Sequence, residues 1–187
     1  MAEQQRDNRG RRDRRHDMPQ EEKQFDERVV NIDRVARVVK GGRRFRFRAL
    51  VVVGDRKGKI GIGIAKGADV TTAISKAIDT AKKNFVTVNL YNETIPHEAE
   101  AKVGGARILV KPAAPGTGLI AGGVVRTVLE VAGISNALSK SLGSTNKINT
   151  AYATLEALTS VVPASKWLTR QNDKKAAKPA KAAAEAK

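Results

Sequence analysis

One stretch of the chain, from Val39 to Gly67, constrains the fold more than any other. It reads V-K-G-G-R-R-F-R-F-R-A-L-V-V-V-G-D-R-K-G-K-I-G-I-G-I-A-K-G. Turn signals at residues 40–42 and 55–58 divide it, and the runs between them alternate with a period of two. Because successive strand side chains point to opposite faces, the pattern predicts antiparallel strands joined by short turns. The preceding run, Arg28 to Val39, alternates in a similar way and predicts a first strand.

The alternation predicts one apolar and one cationic face for the resulting three-stranded sheet. The apolar side is expected to carry Phe45, Phe47, Ala49, Val51 and Val53, then Ile60, Ile62 and Ile64. The cationic side is expected to carry Arg44, Arg46 and Arg48, then Lys59, Gly61, Gly63 and Ala65. Glycine weakens a strand, and close approach by another backbone or by a ligand is one reason to tolerate it. A flat, basic, glycine-lined face suits a polyphosphate backbone.

The local charge points toward nucleic acid. Between Arg28 and Lys66 there are twelve Lys or Arg and two Asp or Glu, and the chain of 187 residues carries a net charge of +16. Taken singly, outward arginines are usually a solvated surface and paired glycines are often a bulge. Their coincidence with strong positive charge favours an acidic polymer as partner. A membrane surface is the competing partner, but no basic amphipathic helix with Trp or Phe is visible.

Composition excludes several other classes of protein. The chain has no Cys, which excludes disulfides, thiolate metal sites and cysteine catalysis. It has no apolar run of about 18 residues and no signal-peptide core, so we expect a cytosolic protein. His97 lies near Glu98 and Glu100, but no second ligand pattern accompanies it, so an exposed polar histidine is a better interpretation than a metal site. We expect neither a metal nor a cofactor.

The order of the patterns divides the chain into two small domains and two tails. Residues 1–27 are low in apolar residues and rich in charge of both signs, which predicts a disordered tail. Residues 28–91 form the first domain, whose helix follows Asp69 as N-cap and packs an apolar stripe on the apolar sheet face. Residues 163–187, rich in Ala and Lys, form a flexible basic tail.

The second domain, residues 94–162, is predicted to contain two strands, a helix, a strand and a last helix. Gly104-Gly105 joins the first two strands, Gly133 ends the first helix, and the segment Gly143 to Asn146 caps the last helix. The last helix is predicted to bury Ile148, Ala151, Tyr152, Leu155, Leu158 and Val162. The two domains together predict an α+β fold.

The segment Gly116 to Ala121, G-T-G-L-I-A, fits the dinucleotide-binding pattern GxGxxA. Residues 112–115 separate it from the preceding strand, and no clear strand-end acid lies about 20 residues further on. A dinucleotide site is therefore disfavoured. The openings of the two later helices, at residues 116–123 and 144–146, still offer backbone N–H groups that can hold a ribose-phosphate.

Several segments, in order, resemble one known family. They are V-K-G-G-R-R-F, A-L-V-V-V-G-D, P-A-A-P-G-T-G-L-I-A-G-G, V-L-E-V-A-G-I and G-S-T-N-K-I-N. From Glu27 to Val161 the chain resembles the bacterial S-five family of small-subunit ribosomal proteins. The resemblance implies an N-terminal domain of double-stranded-RNA-binding type and a C-terminal α/β sandwich domain, with no catalysis. The chain departs from the family pattern at Arg46 and Arg48, where small hydroxyl residues are common.

The resemblance also implies a function. Such a protein is a structural constituent of the small (30S) ribosomal subunit in the cytoplasm. It binds 16S ribosomal RNA, stabilises the head of the subunit relative to its body, and contributes to translational accuracy. The neighbouring proteins S-four and S-eight are its expected partners, and the messenger RNA entry path is expected nearby. No membrane and no small-molecule substrate is expected.

Pattern and resemblance together give a set of expected contact residues. Expected RNA contacts are Lys40, Gly41, Gly42, Arg43, Arg44, Arg46, Arg48, Arg56, Lys57, Lys59, Gly61, Gly63, Lys66, Gly116, Thr117, Gly118, Gly122, Ser144, Thr145 and Asn146. A surface for a protein partner is expected at Gly105, Arg107 and Lys111. Two other functions stay open: a nucleotide-dependent enzyme that uses residues 116–123, and an RNA chaperone that acts away from the ribosome.

Overall fold

The computed structural model describes residues 25–163 and residue 166. Two four-stranded sheets and three helices make up this part of the chain, which confirms the predicted α+β class. The first sheet and its helix comprise β1 (Asp26–Val39), β2 (Gly42–Gly54), β3 (Lys59–Gly67), α1 (Val70–Lys83) and β4 (Phe85–Thr87). The second sheet and its helices comprise β5 (Ala99–Val103), β6 (Ala106–Pro112), β7 (Leu119–Ile120), α2 (Gly123–Ala132), β8 (Ala137–Ser141) and α3 (Lys147–Thr159).

The first sheet is antiparallel, in the order β1-β2-β3-β4. The three predicted strands are present, and β4 is a fourth that was not predicted, because three residues are too few to show a period. β1 begins at Asp26, so the prediction that the disordered tail extends to residue 27 is wrong. Phe25 packs against Phe85 with ring centroids 5.0 Å apart, which holds this end of the chain on the sheet. Residues 1–24, and almost all of 163–187, lie outside the described residues.

α1 covers one face of this sheet through small side chains. Its buried residues are Ala73, Ala77 and Ala81, and they pack with Ala49, Val51 and Val53 of β2. The expected N-cap, Asp69, stands before the helix, although its side chain makes no capping hydrogen bond. The contact is close enough to bring the backbones of helix and sheet together.

The glycines of β3 lie on this helix-covered face, so the prediction that they line the cationic face is wrong. β2 and β3 pair Val51 with Gly63 and Val53 with Gly61, and paired residues share a face. A β-carbon on either glycine would collide with α1 backbone atoms. The close approach inferred from these glycines is therefore real, but the approaching group is the helix.

The opposite face of the sheet is also apolar in the half of the strands that lies away from the β1–β2 turn. Leu50, Val52, Ile60 and Ile62 are buried there in one core with Val128 of α2 and other side chains of the second sheet. The prediction of a single apolar face is therefore wrong, since the base of the sheet is buried on both sides. Most of the cationic side chains of β1 and β2 occupy the outer part of these strands, beyond this core.

The second sheet has the order β5-β6-β8-β7, with β7 and β8 parallel and joined by α2. The two-residue strand β7, Leu119–Ile120, was not predicted. Gly133 ends α2 with a φ of 90°, as expected for a helix C-terminus. No helix of the described residues is long and apolar enough to cross a membrane.

The last helix follows the prediction at its start and departs from it along one face. Asn146 caps α3, its side chain accepting a hydrogen bond from the N–H of Ile148. The predicted burial of Tyr152 and Val162 is wrong, because both are exposed. Threonines take part in the buried face instead, as the Thr154 hydroxyl donates to the carbonyl of Thr150 and so needs no outside partner.

Candidate nucleic-acid interface

The outer part of the β1–β2 hairpin, from Arg34 to Arg48, forms a basic arm. It contains six arginines and one lysine and no acidic residue. Most of its residues are exposed, whereas β2 is buried from Ala49 to Gly54. The arm therefore projects beyond the packed base of the sheet, where a partner can reach it from either side.

One side of the arm, which we call the arginine face, brings cations together across two strand pairs. Arg37 lies opposite Arg44, Val35 opposite Arg46, and Asp33 opposite Arg48. Arg48 in turn lies opposite Lys66 of β3. Directly opposed residues stand about 5 Å apart at their Cβ atoms, so these like charges repel one another unless an anion lies over them. The cationic members of the face are Arg37, Arg44, Arg46, Arg48 and Lys66.

A polar chain joins the arginine face to the second sheet's unit. Arg48 Nη2 donates to Asp33 Oδ2 at 2.7 Å, and Asn31 Nδ2 donates to Asp33 Oδ1 at 2.7 Å. Lys147 Nζ, at the first residue of α3, donates to Asn31 Oδ1 at 2.8 Å. The hydrogen bonds from Arg48 and Asn31 hold the pKa of Asp33 below its usual value. These hydrogen bonds bring the exposed segment before α3 next to the arm.

The tip of the arm, Lys40 to Arg43, is a tight, exposed turn. Gly41 has a φ of 84°, which favours glycine, and no atom lies within 4 Å of where its side chain would stand. Among the described residues, the side chains of Arg43, Arg44 and Arg46 have no hydrogen-bond or ion-pair partner. Their charges are available to a partner.

The other basic turn, Asp55 to Gly58, serves the packing of the two sheets. The N–H of Arg56 donates to the Val131 carbonyl at 3.2 Å, and that of Gly58 donates to the Ala132 carbonyl at 3.0 Å. These are carbonyls at the end of α2, which a helix leaves without partners. The turn thus supplies hydrogen-bond donors to the last carbonyls of α2 and fixes the two sheets against each other.

The side chain of Arg56, an expected RNA contact, is also engaged within the protein. It donates to Asp26 Oδ2 through Nε at 3.0 Å and Nη2 at 2.6 Å. That hydrogen bond is the main reason that the pKa of Asp26 is lowered. Lys57 and Lys59 are exposed, but they stand at the opposite end of β2 from the tip, about 40 Å away at the usual rise of about 3.3 Å per residue. The basic residues that were expected to form one RNA-binding surface are therefore divided between the two ends of the sheet.

Backbone N–H groups of the glycine-rich segment before α2 are hydrogen-bonded within the protein. The side-chain oxygen of buried Asn136 accepts from the N–H of Gly116 at 3.1 Å and of Gly118 at 3.0 Å. The N–H of Thr117 donates to Ala114 at 3.2 Å. These three donors are not available to a phosphate, which corrects the expectation for them. Gly122, by contrast, is the exposed N-cap of α2 with open space around it.

This segment also lacks the geometry of a dinucleotide-binding turn. Such a site needs the helix to begin directly at the glycines, with their N–H groups facing the pyrophosphate. Here β7 and two further residues separate Gly118 from the start of α2 at Gly123. The pattern match at residues 116–121 is therefore coincidental.

The segment before α3 is exposed and held at both ends. Ser144 donates its N–H to the carbonyl of Gly105 at 2.7 Å, and Asn146 is occupied in capping the helix. Thr145 and Lys147 are exposed beside them. The loop therefore presents side chains next to the arginine face, although the cap uses the Asn146 side-chain oxygen.

Of the expected protein-partner residues, Arg107 and Lys111 lie on the outward face of β6, and Gly105 lies in the turn between β5 and β6. Arg107 pairs with Glu100, and Lys111 pairs with Glu98 at 3.0 Å. His97, expected to be an exposed polar residue, is half-buried and accepts a hydrogen bond at Nε2 from the N–H of Val162 at 2.9 Å. It ties the end of α3 to the segment before β5.

Four residues of this region were not predicted from the sequence. Asn31, Asp33 and Lys147 link the arm to α3, and Arg37 completes the arginine face. Arg37 was available from the strand period, because it lies opposite Arg44 across a hairpin whose turn was correctly placed. The link from Lys147 to Asn31 spans 116 positions, and no local pattern could indicate it.

Comparison with known proteins identifies the family of the chain. The family model for ribosomal protein S5, N-terminal domain, matches residues 25–89, and that for ribosomal protein S5, C-terminal domain, matches residues 101–167. The chain is 56% identical over 137 residues to the small ribosomal subunit protein uS5 of Thermus thermophilus, covering 73% of this chain and 85% of the relative. The same values hold for that protein in two individual strains of the same organism. The chain belongs to the bacterial S5 family of small-subunit ribosomal proteins, which are structural and not enzymatic.

Proposed function

We propose that this chain binds 16S ribosomal RNA as a structural constituent of the 30S subunit, with the arginine face as its principal contact. The observation that carries the proposal is the basic arm, with seven cationic residues, no acidic residue and a base buried on both sides. A rigid base holds the cations in place before binding. Ordering cost is therefore small, because the strands that carry the cations are already formed.

The mechanism is neutralisation of phosphates, without chemistry. Arg37, Arg44 and Arg46 meet the phosphate backbone, while the turn at Gly41 lets the tip approach closely. The deep, narrow major groove of A-form RNA excludes side chains, so the protein recognises shape and phosphate positions. The exposed segment with Thr145 and Lys147 extends the same surface beyond the arm. Arg48, already paired with Asp33, contributes mainly by positioning the strands.

The finer parts of the proposal concern the ribosome as a whole. Because the arm and the second sheet's unit are locked together, a protein bound by both can hold two RNA regions at a fixed separation. We assign it the steadying of the subunit head against the body, with a contribution to translational accuracy and a position near the messenger RNA entry path. The outward face with Gly105, Arg107 and Lys111 is the surface assigned to the neighbouring proteins S-four and S-eight.

Sedimentation tests the proposal against the alternative of an RNA chaperone acting away from the ribosome. Extract is fractionated on a sucrose gradient at low magnesium, which separates the subunits, and the chain is quantified in each fraction. We expect nearly all of it in the small-subunit peak after a wash in moderate salt. A chain found mainly at the top of the gradient would contradict the proposal and favour the chaperone.

A further inference from the structure

The basic arm has a second face, on the side opposite the arginine face. Ala36 lies opposite Phe45, and Val38 lies opposite Arg43. We call this the outer face; its members are Arg34, Ala36, Val38, Arg43 and Phe45. It continues the sheet face that α1 covers, but the helix cover ends at Phe47, which packs with the α1 core.

Two apolar side chains of the outer face are strongly exposed. Val38 is 76% exposed and Phe45 is 49% exposed. The guanidinium carbon of Arg34 stands 3.8 Å from the centroid of the Phe45 ring, a cation–π contact that holds the ring in place. An aromatic ring that has an arginine on one side and is still half exposed offers a flat surface to a planar partner.

The charges around this surface select its occupant. Arg34 and Arg43 flank the ring, and the nearest acidic residue in the sequence, Asp33, points to the arginine face and is bound to Arg48. The two charged members of this face are both arginines, which suits a polyanion as partner. RNA offers the matching chemistry: an unstacked base lies against aromatic or guanidinium planes, while its phosphates pair with nearby arginines.

We propose that the outer face of the arm stacks an unpaired RNA base on Phe45, with Arg34 and Arg43 neutralising the phosphates on either side. The inference rests on the proposed function, since it assumes that the arm binds 16S ribosomal RNA. It adds that the arm lies within the RNA, in contact on both faces. The outer face reads an unstacked nucleotide, whereas the arginine face reads only the backbone.

Base-specific chemical probing tests the proposal. Small subunits are reconstituted with the full-length chain carrying Phe45→Leu, Phe45→Tyr or Arg34→Gln, and 16S bases are probed with dimethyl sulfate. We expect one or two bases to become reactive with Phe45→Leu and with Arg34→Gln, and to stay protected with Phe45→Tyr, which keeps the ring. Affinity for 16S RNA should fall about tenfold with Phe45→Leu, within the range for loss of one stacked base.

The outcomes separate this proposal from the one on which it rests. Arg44→Gln with Arg46→Gln serves as the comparison, because it alters the arginine face alone. If that pair weakens RNA binding while Phe45→Leu leaves every base unchanged, the outer face holds no base and the arginine face stands. If neither weakens binding, the RNA-binding function itself is wrong. Thermal unfolding of each free variant, expected within a few degrees of the wild type, shows that the fold is retained.

Discussion

Gly63 of β3 lies directly beneath Ala77 of α1, so that a β-carbon on Gly63 would overlap the Ala77 carbonyl group. Gly61 has the same relation to Ala81 one pair further along the strand. Helix and sheet therefore meet backbone to backbone, which explains why the helix buries alanines at this contact. The basic arm is carried by the strand that pairs with β3, so its rigidity depends on this contact.

Gly63→Ala is expected to destabilise the protein strongly. The added methyl group has no space, and forced overpacking of a core costs about 1–3 kcal/mol, occasionally more. Thermal unfolding should show a fall in Tm of about 5 °C or more, since 1 kcal/mol shifts Tm by about 2–8 °C in domains of this size. Gly123→Ala is the matched control, because Gly123 is the exposed first residue of α2 and has open space around it. An equal loss in both variants would contradict the backbone contact.

Asp26 makes the stability of the folded protein depend on pH. Its pKa is lowered in the folded protein, chiefly by the hydrogen bond from Arg56, so the folded state favours the ionised form. The contribution is complete above the ordinary pKa of an aspartate, about 3.9, and is lost as pH falls through the lower folded value. Asp26→Asn should therefore cost up to about 1 kcal/mol at pH 6, as for a partly exposed pair, and almost nothing at pH 2.

Urea unfolding at the two pH values measures this difference. Asp79→Asn is the control, because Asp79 is exposed on α1 and has no ion-pair partner among residues 25–163. It should change the free energy of unfolding little at either pH. A cost of Asp26→Asn that is the same at pH 6 and pH 2 would count against the pairing of Asp26 with Arg56.

Asp33→Asn is expected to strengthen RNA binding. Asp33 is the acidic residue that lies next to the arginine face, and it engages Arg48 at 2.7 Å. The substitution removes one negative charge and releases one guanidinium, so the salt dependence of binding should steepen by about 0.7–0.9 in log–log slope, one phosphate contact's worth. Filter binding to 16S RNA at several salt concentrations gives the slope. Weaker binding with the fold retained would show that Asp33 itself serves the RNA contact.

Sequence pattern predicted the strands well and their faces poorly. Alternation located β1, β2 and β3 because a period of two survives whatever covers the strand. Alternation could not decide which alternate residues of β3 share a face of the sheet with which alternate residues of β2. Ile60 and Ile62 were therefore placed on the same face as Val51 and Val53. The actual register pairs Val53 with Gly61. Burial of both faces removes the contrast between polar and apolar sides on which the assignment relied.

The site was predicted where it depends on local sequence. The tip at Lys40 to Arg43 and the arginines of β2 stand where turn and period put them. The pairing of Arg56 was not predicted, because its charge is visible in the sequence whereas its partner Asp26 lies 30 positions earlier. Likewise, Asn136 lies 18 to 20 positions beyond the glycines whose N–H groups it binds. A charge or a glycine alone does not show whether the folded chain has already used it.

The salt dependence of 16S RNA binding tests the central claim most directly. Arg44→Gln with Arg46→Gln is compared with Lys76→Gln with Lys83→Gln, which removes the same charge from exposed positions of α1. If the arginine face meets phosphates, the arm variant should lower the slope of log affinity against log salt by about 1.5, at about 0.7–0.9 per contact, and the α1 variant should leave it unchanged. An equal change in both variants, or no change in the arm variant, would contradict the account.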